Sequence, residues 1–340
     1  MAPEAQTGKQ PTPALLFDTL NAYQRTQAVK AGIELELFTA IAEGNRTAKA
    51  IAERCDASER GTRILCDFLT ISGFLTKEGS NYALTPDAAV FLDKHSPAYL
   101  GTVTEFILSP HLVDNFDYLT EAVKQGGSAG KTESLAPDHP MWVRFAQAMA
   151  PMMAMPAQLI AQLIDPKGDK KIRVLDIAAG HGLYGLAFAK KNPQVEVTAV
   201  DWPNVLEVAK ENAQTAGVAD RFHTRPGSAF DVDYGTGYDI VLITNFLHHF
   251  DKETCEAVLK KVHSALADGG RAVTLEFVPN EDRVTPPQAA AFSMMMLGLT
   301  PSGDAYTFAE LNEMFRNAGF ARNEMQDLPP TIQRVVISYK

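Results

Sequence analysis

VLDIAAGHG, from Val174 to Gly182, is the segment that says most about how this chain folds. An apolar run ends at Ile177, and Gly180 and Gly182 follow it before a helical pattern of small and apolar residues. A glycine turn between a strand and a helix lets a ligand approach the backbone closely. The next apolar run ends at Asp201, and a carboxylate there can accept hydrogen bonds from a ribose diol. The segment therefore predicts a nucleoside-cofactor site at the carboxyl edge of a parallel sheet.

Asp176 bears on which cofactor binds. Gly180, Gly182 and Gly185 fit the dinucleotide fingerprint G-x-G-x-x-G, so a nicotinamide dehydrogenase is one interpretation. That interpretation leaves unexplained the acid four residues before Gly180. The pattern D/E-x-x-x-G-x-G resembles that of class I methyltransferases, whose acid orients the glycine loop beside S-adenosylmethionine. The resemblance implies S-adenosylmethionine as the cofactor, S-adenosylhomocysteine as its product, and no metal.

Composition indicates a globular protein of two domains. The chain has 340 residues, of which 46% are hydrophobic and 21% charged. Its net charge of −10 argues against nucleic-acid binding. The three cysteines show no metal-ligand spacing, and no apolar run reaches the roughly 18–20 residues of a membrane span. We find no signal peptide at the start and expect a cytoplasmic protein that binds neither nucleic acid nor membrane.

The first half of the chain reads as mostly helical. Helical patterns up to about residue 74 are followed by two short strands around residues 78–81, the order of a winged-helix module. A Met-rich apolar helix is predicted over 141–164, where Pro151 and Pro156 should kink or break it. DNA binding through the 58–74 helix is disfavoured, because that helix mixes acids with its arginines.

Strands and helices alternate from Lys171 onward, which is the signature of a doubly wound α/β domain. The last two strands can pair antiparallel at one edge, and this closure favours the methyltransferase variant of the Rossmann-like sheet. The predicted strands are 172–177, 195–200, 220–225, 238–244, 271–277, about 320–326 and 332–338. The predicted domains are a disordered tail (1–12), a winged-helix dimerisation domain (13–95), linking helices that line the substrate pocket (96–165) and a SAM-binding catalytic domain (166–340).

His248 and Glu276 are the candidate catalytic residues. His248 follows the strand YDIVLITN, at the edge where open α/β sheets place their ligands, and a histidine there can take a proton from a hydroxyl. Glu276 interrupts an apolar strand, where a carboxylate needs a partner. It either orients the His248 imidazole or forms an ion pair with a basic residue.

With these motifs the chain resembles the plant-type O-methyltransferases, of the caffeic-acid and acetylserotonin type, in their bacterial branch. The family string I-C-H-D-W-S-D-E-x-C aligns with residues 246–255, so the family's general base falls on His248. The family's first hinge glutamate falls on Glu276 and its ribose acid on Asp201. Its adenine segment G-D-M-F aligns with residues 227–230. The resemblance implies a Rossmann-like sheet behind a helical dimerisation domain.

Three positions depart from the family pattern. The acid after the catalytic histidine is His249, and the aspartate of the adenine segment is Ser228. The second hinge glutamate falls on Ala305, with Asp304 adjacent. Because that glutamate is missing, C- or N-methylation and a non-methylating use of S-adenosylmethionine stay open beside O-methylation.

The candidate ligand residues divide into two sets. The predicted cofactor residues are Asp176, Gly180, Gly182, Asp201, Trp202, Ser228, Ala229, Phe230 and Asn245. The predicted substrate residues are Phe145, Met149, Met152, His249, Met294 and Met295. Methionines are flexible and polarisable and suit a flat apolar acceptor, so we expect a phenol or another aromatic small molecule.

Apolar surface on the N-terminal helices predicts a homodimer. A SAM-binding transcriptional regulator is the alternative outside enzymology, and the acidic net charge counts against it.

Overall fold

The structure, a computed structural model, describes residues 10–130, 140–166 and 170–340. Its contacts divide the chain into two compact units, residues 1–102 and 103–340. Residues from 103 onward, which include most of the predicted linking helices over 96–165, belong to the unit that contains the large sheet, and the predicted domain bounds stay a prediction. Most of the predicted N-terminal tail lies outside the described residues.

The first unit consists of short helices and one hairpin. Helices α4 and α5 begin at Thr47 and Ser58, whose hydroxyls accept from backbone N–H groups of the first turn. Strands β1 and β2 pair antiparallel, as predicted. The elements in chain order are α1 (Ala14–Leu20), α2 (Ala22–Glu34), α3 (Leu37–Ala42), α4 (Ala48–Arg54), α5 (Glu59–Ile71), β1 (Leu75–Glu78), β2 (Asn81–Leu84) and α6 (Pro86–Phe91).

A small apolar core holds this unit together. Phe38, Leu69 and Tyr82 are almost completely buried in it. The Tyr82 hydroxyl donates to Asp67, which also pairs with Lys77 at 2.6 Å. The hairpin is thereby fastened to α5 through both apolar and polar contacts.

The second unit begins with helices. They are α7 (Val103–Ile107), α8 (Pro110–Val113), a 3₁₀ turn (Asp114–Tyr118), α9 (Leu119–Gln125) and α10 (Pro140–Ile164). Helix α10 runs without interruption through Pro151 and Pro156, so the prediction of a break was wrong, and a kink at the prolines stays a prediction. Ten of its side chains are buried, and that burial offsets the hydrogen bonds that the prolines cannot donate.

A seven-stranded sheet forms the centre of the second unit, in the order β5-β4-β3-β6-β7-β9-β8. The first five strands are parallel, and β9 pairs antiparallel with both β7 and β8. The predicted α/β sheet and its antiparallel closure are confirmed. The strands are β3 (Ile172–Ile177), β4 (Val195–Asp201), β5 (Phe222–Pro226), β6 (Tyr238–Thr244), β7 (Leu266–Glu276), β8 (Arg322–Asp327) and β9 (Arg334–Tyr339).

Helices cover both faces of this sheet and leave its carboxyl edge open to the cavity described below. The strands read as apolar runs because apolar core clusters lie on both sides of them. The helices are α11 (Leu183–Lys191), α12 (Pro203–Thr215), α13 (Lys252–Ala265), α14 (Pro287–Leu299) and α15 (Phe308–Asn317). In the described part of the chain, no helix has both the length and the apolar character to span a membrane.

Candidate active site

The glycine turn after β3 is built on left-handed backbone. Gly180 has φ +56° and Gly182 has φ +73°, a region that residues with a Cβ avoid. Gly182 also packs where a Cβ would lie 3.0 Å from Ala209. The Asp201 carboxylate fixes the turn, because its Oδ2 accepts from Gly180 N at 2.8 Å and its Oδ1 from Trp202 N at 2.7 Å. The predicted turn and ribose acid therefore lie side by side.

Asp176 is completely buried beneath this turn. Its Oδ2 accepts from the backbone N–H of Gly185 at 2.9 Å, at a point where a Cβ on Gly185 would lie 2.6 Å from Val197. Its Oδ1 has no hydrogen-bond partner among the described residues. Burial raises the pKa of Asp176 to about 8, and Asp201 adds to the shift. A buried acid with a spare oxygen suits a cationic ligand group, which would restore the carboxylate.

Two residues that are not glycine take left-handed backbone at the sheet edge. Ala178, just after β3, has φ +52°, and Asn245, just after β6, has φ +54°. Strands β3 and β6 are neighbours, so both residues lie where the strand order reverses. Ligands of open α/β sheets bind at this point, and backbone strain often accompanies such sites.

A cavity of about 410 Å³ opens at this edge. It is lined by Trp142, Phe145, Ala178, Gly180, Val200, Asp201, Trp202, Val205, Gly227, Ser228, Ala229, Phe230, Asp231, Asn245, Phe246, His249 and Phe250. The predicted cofactor residues are all in this lining except Asp176 and Gly182, which lie beneath or behind the turn. Several lining residues were not predicted from the sequence, among them Trp142 and Asp231. Asp231 directly follows the predicted adenine segment, so extending that segment by one residue would have found it.

The structure brings His248 and Glu276 together. Glu276 Oε2 lies 2.5 Å from His248 Nδ1, and both side chains are about 5% exposed. Glu276 Oε1 accepts the backbone N–H groups of Phe246 and Leu247, at 3.0 and 2.9 Å. Of the two alternatives for Glu276, contact with the imidazole is therefore the observed one. His248 lies in the 3₁₀ turn Leu247–His249 that follows β6, and Glu276 ends the adjacent parallel strand β7, so both stand at the carboxyl edge of the sheet.

His248 and its neighbour occupy different surroundings. His249 lines the cavity with its ring 6.0 Å from that of Trp142, whereas His248 does not line it. The ring of Phe292 on α14 covers His248 edge-on at 4.9 Å. Burial, with a smaller contribution from His248, holds the pKa of His249 well below its usual value, so His249 is neutral at pH 7.

The position of the family's second hinge glutamate holds no acid. Ala305 is buried, and the neighbouring Asp304 pairs with Arg283 at 3.1 Å. Gly303 packs so closely against the backbone of His248 that a Cβ would lie 2.1 Å from its carbonyl oxygen. This segment therefore supports the histidine turn through its backbone.

A buried polar network reaches the site from the last strand. Gln333, just before β9, donates to Asn245 Oδ1. Asn245 Nδ2 donates to the Tyr184 hydroxyl at 3.2 Å, and that hydroxyl lies 3.3 Å from Met153 Sδ. The network connects elements far apart in sequence and fixes the Asn245 amide.

None of the predicted substrate methionines lines the cavity. Met149 is buried in the core of the sheet and Met152 packs against that core. Met294 is 49% exposed on α14, and Met295 is half-buried beside it. Of the predicted substrate residues, only Phe145 and His249 line the cavity. A role for these methionines in binding the acceptor stays a prediction.

The cavity fits S-adenosylmethionine. Asp201 lines the cavity beside the left-handed glycine turn, where a carboxylate could accept from a ribose diol, and planar side chains line much of the rest, while the buried Asp176 supports the turn from beneath. Among the described residues, no group of three or more His, Cys, Asp or Glu side chains is placed to hold a metal ion.

Comparison with protein families gives two matches. Residues 116–321 match the O-methyltransferase domain, and residues 17–94 match the O-methyltransferase dimerisation domain. Together the two matches extend over both compact units of the structure.

Individual relatives agree with the family match. A Nostoc punctiforme PCC 73102 protein, whose crystal structure is described as a candidate O-methyltransferase, is 55% identical, with a TM-score of 0.94 over 98% of this chain and 100% of that one. The 3-hydroxy-5-methyl-1-naphthoate 3-O-methyltransferase of Streptomyces sahachiroi is 29% identical over 90% of this chain and 89% of the relative. The L-tyrosine C(3)-methyltransferase of Streptomyces lavendulae is 25% identical over 91% of this chain and 85% of the relative. The chain belongs to the O-methyltransferase family and is an S-adenosylmethionine-dependent methyltransferase.

Proposed function

We propose that the chain methylates a phenolic hydroxyl of an aromatic small molecule, with His248 as the general base. The observation that carries this proposal is the 2.5 Å contact between His248 Nδ1 and Glu276 Oε2. A carboxylate at Nδ1 favours the tautomer in which Nδ1 carries the proton, which leaves Nε2 free to accept one.

In this mechanism S-adenosylmethionine supplies an electrophilic methyl group on a sulfonium. His248 Nε2 takes the proton of the acceptor hydroxyl as its oxygen attacks. Glu276 stabilises the resulting imidazolium, and it cannot swing away because its other oxygen is held by the Phe246 and Leu247 N–H groups. A positioned base of this kind contributes about 10²–10⁴-fold to the rate.

The surroundings of the imidazole favour an aromatic acceptor. The rings of Phe292 and Phe277 stack at 3.9 Å, and Phe292 faces His248. An acceptor bound at the His248 ring would lie near this aromatic pair, which suits a flat ring. The naphthoate-methylating relative acts on an acceptor of that chemistry. A phenol also loses its proton far more readily than an aliphatic alcohol does.

Carbon methylation is the second candidate. One relative is a tyrosine C(3)-methyltransferase, and Ala305 stands where the family's second hinge glutamate falls. A base that ionises a phenol also activates the ring carbon beside the hydroxyl, so His248 would serve either outcome.

The test is turnover against phenols, catechols, hydroxyindoles and small N-heterocycles, with S-adenosylhomocysteine measured as product and the methylated atom located by NMR. His248→Ala should lower turnover by about 10²–10⁴-fold and leave S-adenosylmethionine binding nearly unchanged. His249→Ala is the matched control: it removes the neighbouring imidazole and should retain more activity. Equal losses in the two variants, or an active His248→Ala, would contradict the assignment of the base.

A further inference from the structure

The cavity contains two acidic side chains, Asp201 and Asp231. Within the described chain, no Lys or Arg side chain lines it. Asp201 is bound to the glycine turn and placed for the ribose. Asp231 lies on the segment 227–231, which lines the cavity after β5, and it has no such task in the methyl transfer.

A lysine from another element fixes this segment. Lys261 Nζ, on α13, donates to the backbone carbonyls of Ala229 at 3.0 Å, Val232 at 3.2 Å and Phe230. The same ammonium lies 4.5 Å from the centre of the Tyr234 ring, and the Tyr234 hydroxyl also donates to the Ala229 carbonyl. These carbonyls are therefore occupied by donors from the protein and are poor acceptors for a ligand.

Ser228 offers no alternative acceptor of comparable strength. It stands where the family's adenine segment has an aspartate, and its hydroxyl oxygen accepts from the backbone N–H of Phe230 at 3.1 Å. The carboxylate nearest in sequence that lines the cavity is Asp231.

We propose that Asp231 accepts a hydrogen bond from the exocyclic amino group of the cofactor's adenine, on a segment that Lys261 holds in place. An ionised carboxylate accepts only, so it pairs with the amino group of adenine and repels the carbonyl oxygen of a 6-oxopurine. Phe230, Phe246 and Phe250 contact one another beside it, at ring distances of 5.0–6.1 Å, and offer an apolar surface to a planar base. The proposal depends neither on the acceptor nor on His248.

Calorimetric binding of two ligands tests this pairing. One is S-adenosylhomocysteine, and the other is its analogue with purine in place of adenine, which lacks only the amino group. The wild-type chain should bind S-adenosylhomocysteine about 10- to 100-fold more tightly than the analogue. Because no acceptor is present, a failure of the proposed O-methylation leaves this ratio unaffected.

Three variants test whether Asp231 causes this difference in affinity between the two ligands. Asp231→Ala should reduce it to about one to threefold, and Asp231→Asn, which keeps an acceptor oxygen without the charge, should give an intermediate value. Asp233→Ala is the control, since that carboxylate caps a turn by accepting from Gly235 N at 2.8 Å. A wild-type chain that binds both ligands equally, or an Asp231→Ala chain that keeps the wild-type ratio, overturns the proposal.

Lys261→Met tests the positioning role separately. It should weaken both ligands by a similar factor of about 10 and leave their ratio unchanged, because it disturbs the segment without removing the acceptor. Lys260→Met is the control on the exposed face of the same helix. Unchanged affinities in Lys261→Met, with the protein folded by circular dichroism, overturn this part of the proposal.

Discussion

The two carboxylate oxygens of Glu276 contact different parts of the turn that carries His248. Oε2 lies 2.5 Å from His248 Nδ1, and Oε1 accepts hydrogen bonds from the backbone N–H groups of Phe246 and Leu247. The acid therefore fixes both the ring and the backbone that carries it. A carboxylate buried to this degree is stable only with such partners.

Glu276→Gln should lower kcat by about 10²–10⁴-fold, because the amide can place its NH₂ against Nδ1 and so favour the tautomer that carries a proton on Nε2. The dissociation constant for S-adenosylmethionine should change little. Steady-state kinetics, calorimetry and ¹⁵N NMR of the imidazole measure these effects. Glu253→Gln, at an exposed position, is the control. A Glu276→Gln chain with near-normal kcat would show that the tautomer does not matter.

Ala178→Gly should stabilise the protein. Ala178 has φ +52°, and left-handed backbone costs a residue with a Cβ roughly 1–2 kcal/mol. Glycine loses about 0.5–1 kcal/mol more conformational entropy on folding, so the net gain is about 0.5–1 kcal/mol. Thermal unfolding should show a Tm higher by about 1–3 °C.

Ala179→Gly is the matched control for that change. Ala179 is buried, and it is not among the residues with positive φ. It would lose a packed methyl group and gain only flexibility, so its Tm should fall. If the Tm of Ala178→Gly falls as much as that of Ala179→Gly, the left-handed backbone at Ala178 does not destabilise the wild-type protein.

His181 should make stability depend on pH. It is buried in the glycine turn, its Nδ1 accepts from Leu183 N at 3.1 Å, and burial lowers its pKa to about 4. The folded state therefore favours the neutral ring. Its stabilising contribution is complete above pH 6.5, the value of the unfolded chain, and is lost as the pH falls from 6.5 towards 4. The full effect is up to about 3 kcal/mol.

His181→Asn isolates this effect, because an asparagine oxygen can accept the same Leu183 N–H and does not titrate. Asp176 and Asp201, whose pKa values are raised to about 8 and about 6, act in the opposite direction in both proteins. Urea unfolding at pH 7.5 and pH 5 should therefore show a larger acid destabilisation in the wild type than in the variant. Parallel curves for the two proteins would be evidence against a neutral His181.

Exposed apolar residues on α1 should support a homodimer. Leu15, Leu16, Phe17 and Leu20 are 57–79% exposed, and the segment overlaps the dimerisation-domain match. Leu16→Ser combined with Phe17→Ser should shift the wild-type dimer towards monomer in sedimentation velocity at micromolar concentration. Asp18→Asn is the control on the same helix. A wild-type monomer, or a double variant that dimerises as tightly, would contradict the expectation.

Much of the sheet was predictable because its determinants are local. Apolar runs predicted β3, β4, β5 and β6 within two residues of their observed bounds, whereas β7 begins five residues before its predicted start. Parallel strands gather their carboxyl ends at one edge, so His248 and Glu276 could be expected near each other although 28 residues separate them. Periodicity and the strand-edge rule were sufficient for these features.

Other features required the tertiary structure. The sequence alone placed the glycine turn, its two acids and the alternation of strands and helices, because short-range patterns encode them. Only packing decided that α10 stays continuous through two prolines, that Met149 enters the core, and that Asn245 meets Gln333. Only packing, too, brought Lys261 to the backbone carbonyls on both sides of Asp231. Contacts between residues distant in sequence depend on how helices and strands pack to bury apolar surface. A local sequence pattern does not contain the free energy of that packing.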